Sequence, residues 1–203
     1  MSSFIKPMEM PVDPKPQSIV VAGGCFWCIE ALFDDLKSVI SAESGYAGGK
    51  TENPTYNEVC SGSTGHAEVV KITFDPKVAT AKDMLKLFFV VHDPTTLNRQ
   101  GPDSGTQYRS AVFYTNSAEM ALAEEVIAEI TKEKIWSNPI TTTIEPLGKF
   151  YLAEEYHQDY FAKYERASEA ERASMNAGYC SAIIDPKVRK FREKYQSKLK
   201  KGG

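Results

Sequence analysis

The stretch from residue 18 to residue 36 constrains the fold more than any other part of the sequence. Residues 18–22 form a β-branched run, which is typical of a buried strand, and Gly23 and Gly24 predict a tight turn at its end. The sequence therefore predicts a strand that turns sharply into a helix. Apolar side chains recur at helical spacing after the turn, at Phe26, Ile29, Leu32, Phe33 and Leu36.

The rest of the chain interleaves strands and helices. Four further strands and four further helices are predicted, and with the first pair they follow the order β-α-β-β-α-β-α-β-α-α. This order favours an α/β (α+β) two-layer sandwich, in which helices pack on a mixed sheet with a ferredoxin-like core, over a doubly wound fold. The predicted strands span residues 39–46, 68–74, 108–115 and 141–147, and the helices span residues 81–92, 117–136, 154–174 and 186–199.

The domain organisation is expected to be simple. Residues 1–17, with four prolines, predict a flexible leader, and residues 18–203 predict a single domain whose C-terminal tail contains Cys180. Two long polar loops, residues 50–65 and 94–105, are candidates for functional segments. We expect a cytoplasmic protein, because we see neither a signal peptide nor an apolar run of membrane-spanning length. The net charge of −3 gives no reason to expect nucleic acid as a partner.

Four cysteines do not make a disulfide scaffold in a chain of 203 residues, so their thiols need another explanation. Cys25 follows the glycine pair and stands at the start of the predicted helix. The free N–H groups and partial positive charge of a helix N-terminus favour a thiolate, so we expect the pKa of Cys25 to lie below about 8.5. A buried structural cysteine is the alternative, but the turn, the helix start and the nearby Cys28 favour a nucleophile.

Cys25 and Cys28 form a Cys-x-x-Cys pair, which is typical of more than one kind of site. One alternative is a thioredoxin-like dithiol-disulfide oxidoreductase that uses both thiols. Another is a zinc-stabilised binding module, which would need a second pair of ligands. Cys60 and His66 in the first long loop and the solitary Cys180 do not repeat the necessary spacing, which argues against zinc.

Seven short blocks, spread from about residue 19 to residue 160, match a known family in order and in spacing. The blocks are Gly-Gly-Cys-Phe-Trp (23–27), Ser-Gly-Tyr-Ala-Gly-Gly (44–49), Asn-Pro-Thr-Tyr (53–56), Thr-Gly-His-Ala-Glu (64–68), Asp-Pro-Thr (93–95), Gly-Thr-Gln-Tyr-Arg-Ser (105–110) and Glu-Glu-Tyr-His-Gln-Asp-Tyr (154–160). In these blocks the chain resembles the peptide methionine sulfoxide reductase A family.

The resemblance implies a role for several polar residues. Cys25 would be the nucleophile that attacks the sulfoxide sulfur, and Glu68 would protonate the departing oxygen, because oxide is a poor leaving group. Tyr56 and Tyr108 would supply the hydroxyls that bind this oxygen, and Asp103 would be a second carboxylate in the same network. An acid that works near neutral pH needs a raised pKa, which burial provides. Without the resemblance, each of these residues could have an ordinary structural role.

The aromatic residues that follow Cys25 offer an apolar surround for the substrate, to which the resemblance adds His157. Trp27 would form a wall suited to a small methyl group, with Phe26 beside it and His157 helping to shape the pocket. Cys60 and His92 are expected to be structural.

Two cysteines could resolve the sulfenic acid that the reaction leaves on Cys25. Cys180, in Gly-Tyr-Cys, resembles the recycling cysteine of the family. Cys28 lies one helical turn from Cys25, at a position where many members have glycine. Residues 163–176 are longer and more helical than the corresponding linker in many members, which bears on the reach of Cys180. We favour Cys180 as the resolving thiol, with a relay through both cysteines left open.

The implied activity is that of a peptide-methionine (S)-S-oxide reductase, which reduces the S epimer of methionine sulfoxide, free or in proteins. Thioredoxin is the expected reductant. No metal, cofactor, nucleic acid or membrane is expected to take part, and the chain is expected to be a monomer.

Overall fold

The computed structural model of the chain describes residues 14–200. Of the predicted leader, residues 1–13 lie outside this range, and residues 14–16 precede the first strand without regular structure. That strand begins at Gln17, one residue before the predicted start of the domain.

A six-stranded mixed sheet is the framework of the described residues. The described residues form eight strands, six of which belong to this sheet. They are β1 (Gln17–Gly23), β2 (Val39–Ala47), β3 (Ala67–Phe74), β4 (Arg99–Gln100), β5 (Asp103–Ser104), β6 (Ser110–Tyr114), β7 (Thr143–Pro146) and β8 (Tyr151–Leu152). The order in the sheet is β7-β6-β1-β3-β2-β8. The pair β6–β7 is parallel, the other pairs of this sheet are antiparallel, and β4 and β5 form a separate small hairpin.

Helices pack on one face of this sheet. They are α1 (Phe26–Asp34), α2 (Tyr56–Cys60), α3 (Ala81–Val91), α4 (Ser117–Lys132), α5 (Tyr160–Arg166), α6 (Glu169–Arg172), α7 (Ala177–Tyr179) and α8 (Asp185–Tyr195). A π-helical turn, Cys180–Ile184, joins α7 to α8. No helix in the described part of the chain is long and apolar enough to cross a membrane.

The order β1-α1-β2-β3-α3-β6 along the chain, with the strands arranged β6-β1-β3-β2, is the ferredoxin-like arrangement. The predicted two-layer fold is therefore confirmed. β1 is central, because Val21 pairs with Val70 of β3 on one side and with Val112 of β6 on the other. The turn after β1 consequently lies where the strands end, in the middle of the sheet and away from its edge strands.

Three predicted segments differ from the structure, one of them the predicted loop at residues 94–105, which contains the hairpin of β4 and β5. The helix predicted for residues 154–174 is broken into a short 3-10 turn, α5 and α6. Asp159 interrupts it with a left-handed backbone (φ of 51°), and Ser168 opens a new helix with a capping box. The predicted loop at residues 50–65 contains the short helix α2, which begins with a capping box at Thr55.

The main core lies between the helices and the sheet. Leu32 of α1, Phe88 of α3 and Ile72 of β3 are all 0% exposed. Each side chain of this kind stabilises the fold by about 1.5–3 kcal/mol relative to an exposed position. A smaller apolar cluster on the other face of the sheet is covered by Leu147 and Phe150. The fold thus has two layers, and α1 lies in the more deeply buried one.

The C-terminal helix α8 is anchored to α1. Val188 and Phe191 are buried in the main core. Arg192 donates to Asp35 at the end of α1 (Nε–Oδ2, 2.7 Å) and to Glu165 of α5 (Nη1–Oε1, 2.6 Å). These contacts fix α8, and with it the π-helical turn that precedes it, against α1 and α5.

Candidate active site

Cys25 is the N-cap residue of α1 and follows the turn that ends β1. The turn requires glycine at Gly24, where φ is +85° and a Cβ atom would lie 2.5 Å from the side chain of Gln100. Cys25 is only 7% exposed. The thiol therefore lies at the end of a central strand and is largely shielded from water.

A cavity of about 160 Å³ adjoins Cys25. It brings together seven residues that the sequence had implied for one site, from α1, α2, β3, β5 and the turn before β6. They are Cys25, Phe26, Trp27, Tyr56, Glu68, Asp103 and Tyr108, and the lining is completed by Asn176 and Tyr179.

Glu68 is a buried carboxylic acid. It is 2% exposed, and its Oε2 accepts a hydrogen bond from the backbone N–H of Phe26 at 3.0 Å. Burial raises the pKa of Glu68 to about 8, and the charges of Asp103 and Cys28 add to the rise, although the bond from Phe26 opposes it. Glu68 consequently keeps its proton at neutral pH and can act as an acid.

Tyr56 and Tyr108 line the cavity with hydroxyls that stay protonated. Burial raises the pKa of both tyrosines well above the usual range, and the nearby Glu68 adds to the effect. Glu154 fixes the position of Tyr56, because its Oε1 accepts the Tyr56 backbone N–H at 2.8 Å and its Oε2 accepts the Tyr46 hydroxyl at 2.7 Å. Both hydroxyls thus keep a proton to donate, although that of Tyr56 also interacts with the Cys60 thiol.

An aromatic cluster forms the apolar wall. Trp27 stacks on Tyr160, with ring centroids 3.8 Å apart and planes 6° apart, and its Nε1 donates to Nδ1 of His157 at 3.1 Å. Phe26 stacks on Tyr56 with centroids 6.4 Å apart. Burial lowers the pKa of His157 to about 4, so its neutral ring can accept this bond. His157 therefore supports the wall from behind and does not itself line the cavity.

The pKa of the Cys25 thiol differs from the prediction. Burial raises its pKa well above the usual value, and Cys28 and Glu68 add to the rise, while the Tyr179 hydroxyl opposes it. The expectation that the start of α1 lowers this pKa is wrong. The physical reason is that burial penalises the charged sulfur, while no hydrogen bond from the start of α1 caps the Cys25 side chain. Cys25 thus rests as a thiol that must lose its proton before it can attack.

Two further thiols lie nearby. The side chains of Cys25 and Cys28 hydrogen bond each other, and this bond is the main reason why the pKa of Cys28 is lowered despite burial, with a further contribution from the charge of Lys187. Cys180 is 0% exposed, and burial together with the charge of Cys28 raises its pKa to about 11. Cys28 is therefore the neighbour that Cys25 and Cys180 share.

Comparison with known proteins decides the family. The family model described as peptide methionine sulfoxide reductase matches residues 17–199. The chain belongs to this family. The peptide methionine sulfoxide reductase MsrA of Deinococcus radiodurans is 48% identical over 184 residues, which cover 91% of this chain and 84% of that protein.

Solved structures agree with this assignment. Reduced Mxr1 from Saccharomyces cerevisiae is 38% identical, with a TM-score of 0.70 and coverage of 76% of this chain and 88% of that one. Mxr1 in complex with Trx2 gives a TM-score of 0.52 at 30% identity, with coverage of 75% and 90%. This peptide methionine sulfoxide reductase is therefore an enzyme, an oxidoreductase with the mixed α/β fold of its relatives.

The sequence did not single out two residues that line the reductase cavity, Asn176 and Tyr179. The Tyr179 hydroxyl donates to Oδ2 of Asp103 at 2.6 Å and lies beside the sulfur of Cys25. The available signal was the Gly-Tyr-Cys block at residues 178–180, in which only the cysteine had been assigned a role.

His92 and Cys60, which were expected to be structural, do not line the cavity. His92 is buried between the carbonyl oxygen of Phe88, 2.6 Å from Nδ1, and the hydroxyl of Ser110, 2.7 Å from Nε2. Cys60 is half-buried, and its thiol hydrogen bonds Tyr56. The part of the chain that the structure describes contains no group of three or more His, Cys, Asp or Glu side chains that could hold a metal ion.

Proposed function

We propose that the enzyme reduces methionine-S-sulfoxide, free or in proteins, with Cys25 as its nucleophile. The observation that supports this most directly is a buried carboxylic acid, Glu68, in the same cavity of about 160 Å³ as Cys25. A cavity of this size suits the end of a methionine side chain, and Trp27 offers an apolar wall to its methyl group. A nucleophile beside a proton donor suits a reaction in which oxygen must be protonated as it leaves.

In the first step, the Cys25 thiolate attacks the sulfoxide sulfur. Glu68 gives its proton to the sulfoxide oxygen, and the hydroxyls of Tyr56 and Tyr108 donate hydrogen bonds to it. The attack forms a bond between the two sulfurs. The protonated oxygen then moves from the substrate sulfur to the Cys25 sulfur as the bond between the two sulfurs breaks, which leaves a sulfenic acid on Cys25 and releases methionine. The Cys25 sulfur is oxidised by two electrons, and the substrate sulfur is reduced by two.

Cys28 is proposed as the first resolving thiol and Cys180 as the second. Cys28 touches Cys25, and its lowered pKa favours the thiolate that attacks a sulfenic acid. This attack forms a Cys25–Cys28 disulfide and releases water. Cys180, a neighbour of Cys28, then attacks the Cys28 sulfur, which frees Cys25 and leaves a Cys28–Cys180 disulfide. This order differs from the expectation that favoured Cys180, because the contact of Cys25 is with Cys28.

Thioredoxin is proposed as the dithiol that reduces the final disulfide by exchange. The similar yeast protein Mxr1 has been crystallised in complex with Trx2. Since Cys180 is 0% exposed, α7 and the turn that follows it have to move before a partner can reach this sulfur. We also propose a cytoplasmic location, which the four free thiols favour because a reducing compartment preserves them.

Turnover of the two sulfoxide epimers by wild type and by Cys25→Ser, Cys28→Ser and Cys180→Ser tests this scheme. With dithiothreitol, only Cys25→Ser should lose reduction of the S epimer, because a small dithiol can reduce the sulfenic acid directly. This arm also shows that the other two variants are folded. With thioredoxin, Cys28→Ser and Cys180→Ser should be slow as well.

Normal reduction of the S epimer by Cys25→Ser would refute the central role of this residue. Rapid reduction of insulin disulfides without sulfoxide turnover would instead support the alternative, a thioredoxin-like oxidoreductase. Loss of thioredoxin-driven turnover in only one of Cys28→Ser and Cys180→Ser would replace the relay with a single resolving thiol.

A further inference from the structure

The proton of the Cys25 thiol needs an acceptor in this site. Burial keeps Cys25 protonated at rest, and Glu68 also carries a proton at neutral pH. A protonated Glu68 cannot accept the thiol proton and still donate its own to the substrate oxygen. The lowered pKa of Cys28 lets it take this proton, but the proposed resolving step then needs the Cys28 thiolate back. Asp103 is the other carboxylate in the cavity that can act as the base.

Tyr179 connects Cys25 to Asp103. Its hydroxyl donates to Oδ2 of Asp103 at 2.6 Å and also lies beside the Cys25 sulfur, whose pKa it lowers. All three side chains line the same cavity. The Tyr179 ring is held edge-on to Trp27, with centroids 6.2 Å apart and planes 72° apart. Because a hydroxyl can accept one proton while it donates another, Tyr179 is placed to pass a proton from the thiol to the carboxylate.

We propose that Tyr179 is a further catalytic residue, through whose hydroxyl the Cys25 thiol loses its proton to Asp103. The S–H bond of Cys25 breaks as its proton passes to the Tyr179 oxygen, and the original O–H proton of Tyr179 passes to Oδ2 of Asp103. The products are a Cys25 thiolate, a neutral tyrosine and a neutral carboxylic acid, so charge and protons balance. The Tyr179 hydroxyl then donates to the new thiolate.

The surroundings of Tyr179 allow it to pass a proton on but not to persist as a deprotonated base. Burial raises the pKa of Tyr179 far above the usual range, and the charges of Cys25 and Cys28 add to this, so a tyrosinate does not accumulate. The two proton transfers consequently have to be coupled. The titratable groups that face the Cys25–Tyr179 pair are Cys28, Glu68, Asp103 and Tyr108.

The position of Tyr179 in the chain couples this proton path to the reduction of the disulfide that contains Cys180. Tyr179 directly precedes Cys180, so the path is complete only while the segment with the recycling thiol covers the cavity. When that segment moves away for reduction of its disulfide, Cys25 loses its route to Asp103. The enzyme would then activate its nucleophile only with Cys180 in place.

Tyr179→Phe tests the path, because it removes the hydroxyl and keeps the ring. Tyr164→Phe is the matched control, since Tyr164 lies on α5 and is not part of the cavity lining. We expect the single-turnover rate of methionine formation by Tyr179→Phe to fall about 100-fold at neutral pH and to recover as the pH rises, when hydroxide can take the proton. Alkylation of Cys25 by iodoacetamide without sulfoxide should shift to higher pH in the same way.

Asp103→Asn should reproduce this shift, which covers the case in which Tyr179→Phe does not fold. If both residues serve one path, the double variant should be no slower than the slower single variant. Rate losses that multiply, a loss that is the same at every pH, or a Tyr179→Phe rate within about twofold of wild type would each overturn the proposal. The inference rests on the proposed function only for the use of the thiolate. If wild type does not turn over the S epimer but Cys25 alkylation depends on Tyr179, the proposed function fails and the proton path stands.

Discussion

Replacing Glu68 by glutamine removes the proton donor while changing the shape of the cavity little. Glu68 is 2% exposed, and burial raises its pKa from 4.5 to about 8, so the wild-type side chain is mostly a neutral acid at pH 7. The amide of Glu68→Gln can still accept the N–H of Phe26, but it has no acidic proton. We expect methionine formation in a single turnover to slow by about 100- to 10,000-fold.

The same substitution should change how stability depends on pH. Between pH 4.5 and pH 8 the unfolded chain ionises Glu68 while the folded protein keeps its proton. The contribution of Glu68 to wild-type stability is therefore full below pH 4.5 and is lost as the pH rises toward 8. With 1.36 kcal/mol for each pKa unit, this loss is on the order of 3 kcal/mol at neutral pH. Glu68→Gln does not titrate and should escape it.

Urea unfolding of wild type and Glu68→Gln at pH 4.5 and at neutral pH measures this effect. The free energy of unfolding of the variant minus that of wild type should rise by about 3 kcal/mol between the two conditions, since groups common to both proteins cancel. Glu155→Gln, with a side chain that is 90% exposed, is the matched control. A difference that does not change with pH would refute a neutral Glu68, and near-normal methionine formation would exclude Glu68 as the acid.

Two further substitutions test how the site is positioned. Gly24→Ala should destabilise the fold by more than about 2 kcal/mol in urea unfolding, because φ is +85° and the new Cβ would lie 2.5 Å from Gln100; a loss below half of that would contradict the turn geometry. Arg192→Met should destabilise the fold by about 3 kcal/mol, because Arg192 is only 28% exposed and its loss leaves the mostly buried Asp35 carboxylate without this ion pair. Alkylation of Cys180 should become faster, since α8 loses its ion pair with Asp35. An unchanged alkylation rate would show that the Arg192–Asp35 ion pair does not hold the segment that contains Cys180.

The sequence by itself determined the local units of the fold and most of the residues of the site. Apolar spacing and the glycine pair predicted β1, the turn and α1, because these depend on neighbours along the chain. The break at Asp159 was not predictable in this way. There burial raises the pKa of the Glu30 carboxyl, and the backbone groups of Asp159 and Tyr160 beside it oppose this rise. A contact with a helix far away in the sequence leaves no mark on local periodicity.

The tertiary structure alone decided how the thiols ionise and which groups they meet. Glu68 lies 42 residues from Phe26, and Tyr179 lies 76 residues from Asp103, so these bonds depend on how the sheet and helices pack. A helix start favours a thiolate only if its N–H groups are free to stabilise the sulfur. In this reductase no hydrogen bond from these groups caps the Cys25 side chain, and burial beside Cys28 and Glu68 sets its pKa, because packing placed these side chains at that helix end.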